Sequence, residues 1–200
     1  MSEFRLRTLE LIDAGRQLYQ MGLVPATSGN LSARMSDGTL AVTVTGRHKG
    51  KLCEDDIMRV TATGQSLDDR RPSAECLLHV QIYTRIPDAR VVLHPHSINA
   101  TLLSRLRDGA LVLQDYELLK AFPGIDTHHC EIRVPIFNNC QDIAHLAAEV
   151  DAGLSGQEPG YLIRGHGFYT WGNTVEDALR HVEAFEFLFE CEMRLTGIKQ

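Results

Sequence analysis

The sequence predicts an α/β domain, and three observations carry that prediction. Val91-Val92-Leu93 is an unbroken apolar run of the kind a buried strand makes. Residues 3–21 and 173–195, near the two ends, place apolar side chains at helical spacing. Between them, short β-type runs and helix-type segments are separated by Gly-, Pro- and Asp-containing connections.

In chain order, Leu6, Leu9, Leu11, Ile12, Leu18 and Met21 line one face of the first helix, and Gly22 ends it. Leu31–Met35 and Leu40–Val44 form a hairpin with Ser36-Asp37-Gly38 as its turn. Ile57–Ala62 is a further strand. Ser73 is an N-cap for a helix running to about Arg85, with Leu77, Leu78, Val80 (or Gln81) and Ile82 inward. The Val91 strand follows, then a short helix over Ile98–Leu106. Asp115–Ala121 forms one or two helical turns carrying Glu117 and Lys120. Ile132–Phe137 is a strand and Asp142–Leu154 a helix. Residues 161–172 read as two strands hinged at Gly165-His166-Gly167. Asn173 caps the last helix, with Glu176 completing a capping box. Its apolar set (Val175, Leu179, Val182, Phe185, Leu188, Phe189) is wider than one monomer face needs and hints at a subunit contact.

Composition narrows the function classes. The net charge of −6 argues against a nucleic-acid or anionic-membrane partner, both of which need a basic surface. No stretch reads as a membrane span or a signal peptide. Five widely spaced cysteines, without a Cys-x-x-Cys pair, read as reduced thiols of a cytoplasmic protein. The absence of a Gly-x-Gly-x-x-Gly fingerprint argues against hydride transfer.

Three stretches carry chemistry. His94 and His96 sit two apart at the end of a strand, so both imidazoles face one spot. They are either two surface histidines or the front half of a metal site. His166 lies between two glycines that clear space around its ring, and it is the natural third ligand. Ala26-Thr27-Ser28-Gly29-Asn30-Leu31-Ser32 and Thr45-Gly46-Arg47-His48-Lys49-Gly50-Lys51 read either as plain loops or as two halves of an anion cradle. Glu75 serves the helix dipole or acts as an acid/base or metal-associated group, and spacing does not choose. His128-His129-Cys130 is not read as a site, because neighbours on an extended segment point opposite ways. Phe168, Tyr169 and Trp171 are either core or the walls of a substrate pocket.

The set Thr27-Ser28-Gly29-Asn30-Leu31-Ser32, Thr45-Gly46, Pro72-Ser73-Ala74-Glu75, His94-Pro95-His96 and Gly165-His166-Gly167 resembles the class II aldolase/adducin family in order and spacing, over nearly the whole chain. The resemblance implies a single domain over residues 1–200, folded as a three-layer α/β/α sandwich with a mixed, largely antiparallel central sheet. It implies one zinc ion per subunit on His94, His96 and His166, a sugar-phosphate substrate, and a homotetramer with active sites near subunit interfaces. Ser28, Gly29, Asn30, Thr45, Gly46 and Ser73 match positions that surround the substrate phosphate in aldolase relatives. Lys51 and Lys120 are added on charge grounds. Gly46-Arg47-His48-Lys49-Gly50, Tyr116-Glu117-Leu118-Leu119-Lys120, Arg133-Val134-Pro135-Ile136-Phe137 and Gly167-Phe168-Tyr169-Thr170-Trp171-Gly172 most resemble the dehydratases within the family. That closer resemblance implies loss of water from a methylthio-substituted ketose phosphate. It makes Glu117 the first expectation for the acid/base and Glu75 the second. An aldolase or epimerase acting on another sugar phosphate is the alternative.

Overall fold

A computed structural model describes residues 1–198. Its spine is one eight-stranded sheet. The elements, in order, are α1 (Glu3–Gln20), β1 (Asn30–Arg34), β2 (Leu40–Thr43), β3 (Ile57–Val60), α2 (Cys76–Arg85), β4 (Val91–His94), α3 (Ile98–Leu106), β5 (Ala110–Gln114), β6 (Glu131–Phe137), α4 (Ile143–Gly153), β7 (Gly160–Ile163), β8 (Gly167–Gly172) and α5 (Val175–Ile198). The strand order is β3-β2-β1-β4-β8-β7-β6-β5. Every neighbouring pair is antiparallel except β6 and β7. The sheet is therefore mixed and largely antiparallel, as the resemblance implied.

Alternation along the strands divides the interior in two. Leu31, Ala33, Val91, Leu93 and Phe168 face α1, α3 and α5, where Leu11, Leu18, Leu103, Phe185 and Phe189 pack. Val42, Met58, Val92, Tyr161 and Tyr169 face α2 and α4, where Leu78, Ile82, Leu146 and Val150 pack. Helices thus cover both faces, which is the α/β/α sandwich. Among the described residues, no helix is long and apolar enough to cross a membrane.

Several local expectations are corrected. Ala110–Gln114, which shows no strand pattern in the sequence, is the edge strand β5, paired with β6. α2 begins at Cys76 with Glu75 at its N-cap, because the Ser73-Ala74-Glu75 segment stays outside the helix. On α2, Leu77 points outward while His79 is fully buried. At the start of α5 the Thr174 hydroxyl, not Asn173, accepts from the Asp177 amide at 3.1 Å. The apolar set predicted for α5 lies entirely inside the subunit, and Phe187 is the large apolar side chain that α5 leaves exposed near its middle.

Candidate metal centre and substrate cleft

β4 delivers its imidazoles at the end of the sheet. Asn30 and His94 are register partners across β1 and β4, which puts the first Gly-punctuated loop beside the histidines. The Phe168 amide donates to the Pro95 carbonyl at 3.2 Å and draws the Gly165–Gly167 turn over the same end. A Cβ at Gly167 would lie 2.4 Å from the Pro95 oxygen and 3.2 Å from both the His94 and His96 rings, so the close approach requires glycine.

The three Nε2 atoms converge. His96 Nε2 is 2.9 Å from His94 Nε2, which is 3.4 Å from His166 Nε2. Glu75 joins them, with Oε2 at 3.3 Å from His94 Nε2 and Oε1 at 3.4 Å from His166 Nε2. These four ligand atoms all lie within 4.8 Å of one another. Burial and the neighbouring imidazoles push His96 down to about 2 and lower His166. Burial raises the Glu75 carboxyl, but His94, His166 and the Asn30 amide outweigh it and hold Glu75 well below the usual carboxylate range. His94 donates through Nδ1 to the Phe168 carbonyl at 2.8 Å, leaving the Nε2 lone pair for the cluster. Neutral imidazole lone pairs aimed at one point repel unless a cation lies between them. The donor set of three imidazoles and one carboxylate therefore fits a divalent metal.

Beside the cluster is a cleft of about 290 Å³. Ser28, Gly29, Asn30, Thr45, Gly46 and Ser73, the expected phosphate residues, all line it with Glu75, His96 and His166. Ser73 reaches the cleft because its N–H donates to Thr43 O and Thr45 N donates to Arg71 O, each at 3.1 Å, which ties the Arg71–Ser73 segment to the second loop. Ser28 Oγ is buried and has no partner, a donor held ready for a ligand oxygen. The Asn30 amide is committed to Glu75, to whose Oε2 it donates at 2.8 Å.

Three charged residues expected in the site are not brought to it within one subunit. Lys51 is exposed and lies outside the cleft lining. Lys120 donates to Glu117 Oε1 at 2.7 Å. Glu117 itself is 73% exposed, flanked by Lys120 and by His128 at 3.7 Å. The Lys120 ammonium holds its carboxyl below the usual range. Sequence reasoning passed over Lys49, which is 2% exposed and lines the cleft. Its Nζ donates to the carbonyls of Thr27 at 2.7 Å and Arg47 at 2.6 Å, stapling one loop to the other. Burial pushes its ammonium down to about 8, against the pull of Glu75. The available signal was its place among glycines in the second loop, where Lys51 drew attention for the same charge. Asn139, Cys140 and Gln141, ahead of α4, complete the cleft wall and carried no motif. Phe168 and Tyr169 are fully buried core residues. A larger cleft of about 700 Å³ lies at the opposite end of the sheet, beside Ala89 and Gly172, away from the clustered ligands.

A mixed α/β/α sandwich whose sheet end gathers a glutamate and three histidines beside two glycine-bearing loops defines a class II aldolase-type protein. The family model of the class II aldolase and adducin N-terminal domain matches residues 9–193, and the chain belongs to that family. It is 58% identical to the methylthioribulose-1-phosphate dehydratase of Methylococcus capsulatus, over 100% of this chain and 98% of that protein. It is 55% identical to the protein of the same name from Pseudomonas paraeruginosa, over 96% of each. Among solved structures, L-fuculose-1-phosphate aldolase from Thermus thermophilus superposes with a TM-score of 0.76 at 26% identity, covering 98% of this chain and 96% of that one. YgbL of Escherichia coli superposes with a TM-score of 0.83 at 25% identity, covering 96% and 90%.

Proposed function

We propose that this protein dehydrates 5-methylthioribulose 1-phosphate to 2,3-diketo-5-methylthiopentyl 1-phosphate, a step of methionine salvage. The observation that carries the reading is the convergence of Glu75, His94, His96 and His166 beside an anion-suited cleft, in a chain 58% identical to a dehydratase of that name. His94, His96 and His166 hold zinc, one ion per subunit, with Glu75 at its side. When bound, the ion supplies Lewis-acid polarisation of the ketose oxygens.

The chain's own residues do the rest. Backbone amides of the two loops, the Ser28 and Ser73 hydroxyls and the Lys49 ammonium bind the phosphate. A carboxylate removes the C3 proton, giving an enediolate. The same group, now protonated, hands that proton to the C4 hydroxyl as it leaves as water. The resulting enol tautomerises to the diketone. Glu117 is the proposed acid/base. Its exposure, and its place outside its own subunit's cleft lining, support delivery from a neighbouring subunit. Ile98, Leu102, Leu106 and Phe187, exposed on α3 and α5, support subunit contacts of the proposed homotetramer. We place the enzyme in the cytoplasm, on the strength of its free cysteines.

The test is incubation of the purified, zinc-loaded protein with methylthioribulose 1-phosphate, with and without a chelator. Diketone formation that the chelator abolishes is expected. Unchanged substrate, or cleavage into two carbon fragments, would remove the dehydratase reading.

A further inference from the structure

Beneath Glu75 runs a line of buried polar groups that no step above uses. Asn30 Nδ2 donates to Glu75 Oε2 at 2.8 Å. Asn30 Oδ1 is in hydrogen-bond contact with His79 Nε2. His79 Nδ1 lies 2.6 Å from Ser32 Oγ, which lies 2.8 Å from the Tyr83 hydroxyl. Ser32 and His79 are fully buried, and Asn30 and Tyr83 nearly so. The line crosses the interface between β1, which supplies Asn30 and Ser32, and α2, which supplies His79 and Tyr83. A core position against a strand is ordinarily cheaper to fill with Leu or Val than with four polar side chains.

The direction of every bond follows from one end. An ionised carboxylate only accepts, so the Asn30 NH2 faces Glu75 and the Asn30 oxygen faces His79. His79 must then donate through Nε2. Burial and the neighbouring His94 hold His79 down at about 3, against the pull of Glu75, so the ring is neutral and its Nδ1 accepts. Ser32 therefore donates to Nδ1, and its oxygen accepts a hydrogen bond from the Tyr83 hydroxyl.

We propose that His79 is a positioning residue for Glu75, setting the Asn30 amide so that its NH2, and not its oxygen, meets the carboxylate. Without that donor the amide is free to turn over. Its oxygen would then oppose a carboxylate oxygen, and Glu75 would swing from the histidine cluster. The inference deepens the proposed reading of the metal site and rests on it in one respect, that Glu75 works there as an ionised carboxylate.

The test uses His79→Leu, which removes both ring functions, and His79→Gln, whose amide can both donate and accept. In the zinc-loaded protein, His79→Leu is expected to lower kcat about 10- to 100-fold, with KM within about twofold, and to weaken zinc retention against a chelator about tenfold. His79→Gln is expected to restore most of both. Nitrogen-15 NMR of the wild-type protein is expected to show His79 neutral with its proton on Nε2. A proton on Nδ1 overturns the proposal. So does a folded His79→Leu that keeps both kcat and zinc affinity. Should His79→Leu not fold, Ser32→Ala tests the same line: the Nε2–H tautomer is expected to persist, because the Asn30 oxygen still faces the ring and takes that donor, and a shift of the proton to Nδ1 overturns the proposal. The tautomer and zinc readings need no substrate. A protein that fails to dehydrate the ketose phosphate yet shows the Nε2–H ring loses the functional reading and keeps this one.

Discussion

The Nδ1 of His94 donates to the carbonyl oxygen of Phe168 at 2.8 Å, across the β4–β8 pairing. That bond sets the tautomer, since a ring that gives its proton to a backbone oxygen offers a bare Nε2. It also ties a metal ligand to a strand whose side chains form the core, where Phe168 and Tyr169 are fully buried. The Tyr169 ring stacks on His94 at 3.9 Å between centroids and prevents the imidazole from turning. Site and core are therefore one mechanical unit, and the predictions below follow from that coupling.

Removing the metal should cost stability as well as turnover. Three neutral imidazoles and a carboxylate held within 4.8 Å of one another lose the cation that reconciles them. At a zinc concentration 100 times the dissociation constant, binding adds about 2.7 kcal/mol to the folded state. Calorimetry before and after exhaustive chelation is expected to show a lower Tm in the stripped protein, restored by zinc. Identical melting curves would sink the metal assignment.

Glu75→Gln should separate structure from chemistry. The amide keeps the shape, and three histidines still hold the ion. The negative charge beside His94 and His166 is lost, while the amide oxygen can still accept from the Asn30 NH2. A fall in kcat of about 10²- to 10⁴-fold is expected, with the ion near full occupancy in excess zinc but held about tenfold less tightly against a chelator. Full activity in a metal-replete variant would take Glu75 out of the mechanism.

Lys49 predicts an alkaline limb in substrate binding. Its ammonium is pushed down to about 8 by burial, so the free protein loses this charge as pH rises through that value. A substrate phosphate is already a dianion there, its second pKa being about 6. Losing the cation weakens attraction, so KM is expected to rise above pH about 8 while kcat changes less. Lys49→Met should raise KM about 10- to 100-fold at neutral pH, the worth of a charged hydrogen bond, and flatten the limb. A limb that survives in Lys49→Met would assign it to another group.

Glu117→Gln and Glu75→Gln subunits, each inactive alone, should complement when mixed. If Glu117 serves a neighbour's cleft, some mixed sites in a hybrid oligomer contain both wild-type carboxylates. Partial recovery of turnover after dissociation and reassembly of the mixture is expected. No recovery, with hybrids verified by mass, would place Glu117 outside the site.

Gly29→Ala should destabilise the loop before it harms chemistry. Its φ is +76°, and an added Cβ would lie 2.7 Å from the His94 carbonyl oxygen and 2.8 Å from Val24. Left-handed backbone strain plus overpacking predicts a loss of about 2–4 kcal/mol. Urea unfolding measures it, and a loss under about 1 kcal/mol would mean that the loop relaxes freely.

Local signals carried much of the architecture. The apolar run at Val91–Leu93 and the helical spacing of α1 and α5 stand out because burial imposes a period that the chain itself displays. The Gly-His-Gly hinge was legible because steric clearance around a ring needs glycine whatever the fold. In β5, at the edge of the sheet, the exposed Val112 is apolar and breaks the apolar/polar alternation that marks a half-covered strand, so Ala110–Gln114 carries no strand signal in the sequence. His79 escaped for a different reason. A histidine inside a helix carries no sign of which face it takes until the opposing strand is in place.

By itself the sequence determined the chemistry available: which imidazoles share a strand end, which glycines admit a ligand, and which order of motifs marks the family. Only the tertiary structure decided the pairings. It put Glu75 with the three histidines, Glu117 with Lys120, and Lys49 rather than Lys51 in the cleft. The physical reason is range. Residue type and spacing govern interactions within a turn or along a strand, whereas Asn30 and Glu75, or His94 and Phe168, meet through the packing of elements distant in the chain.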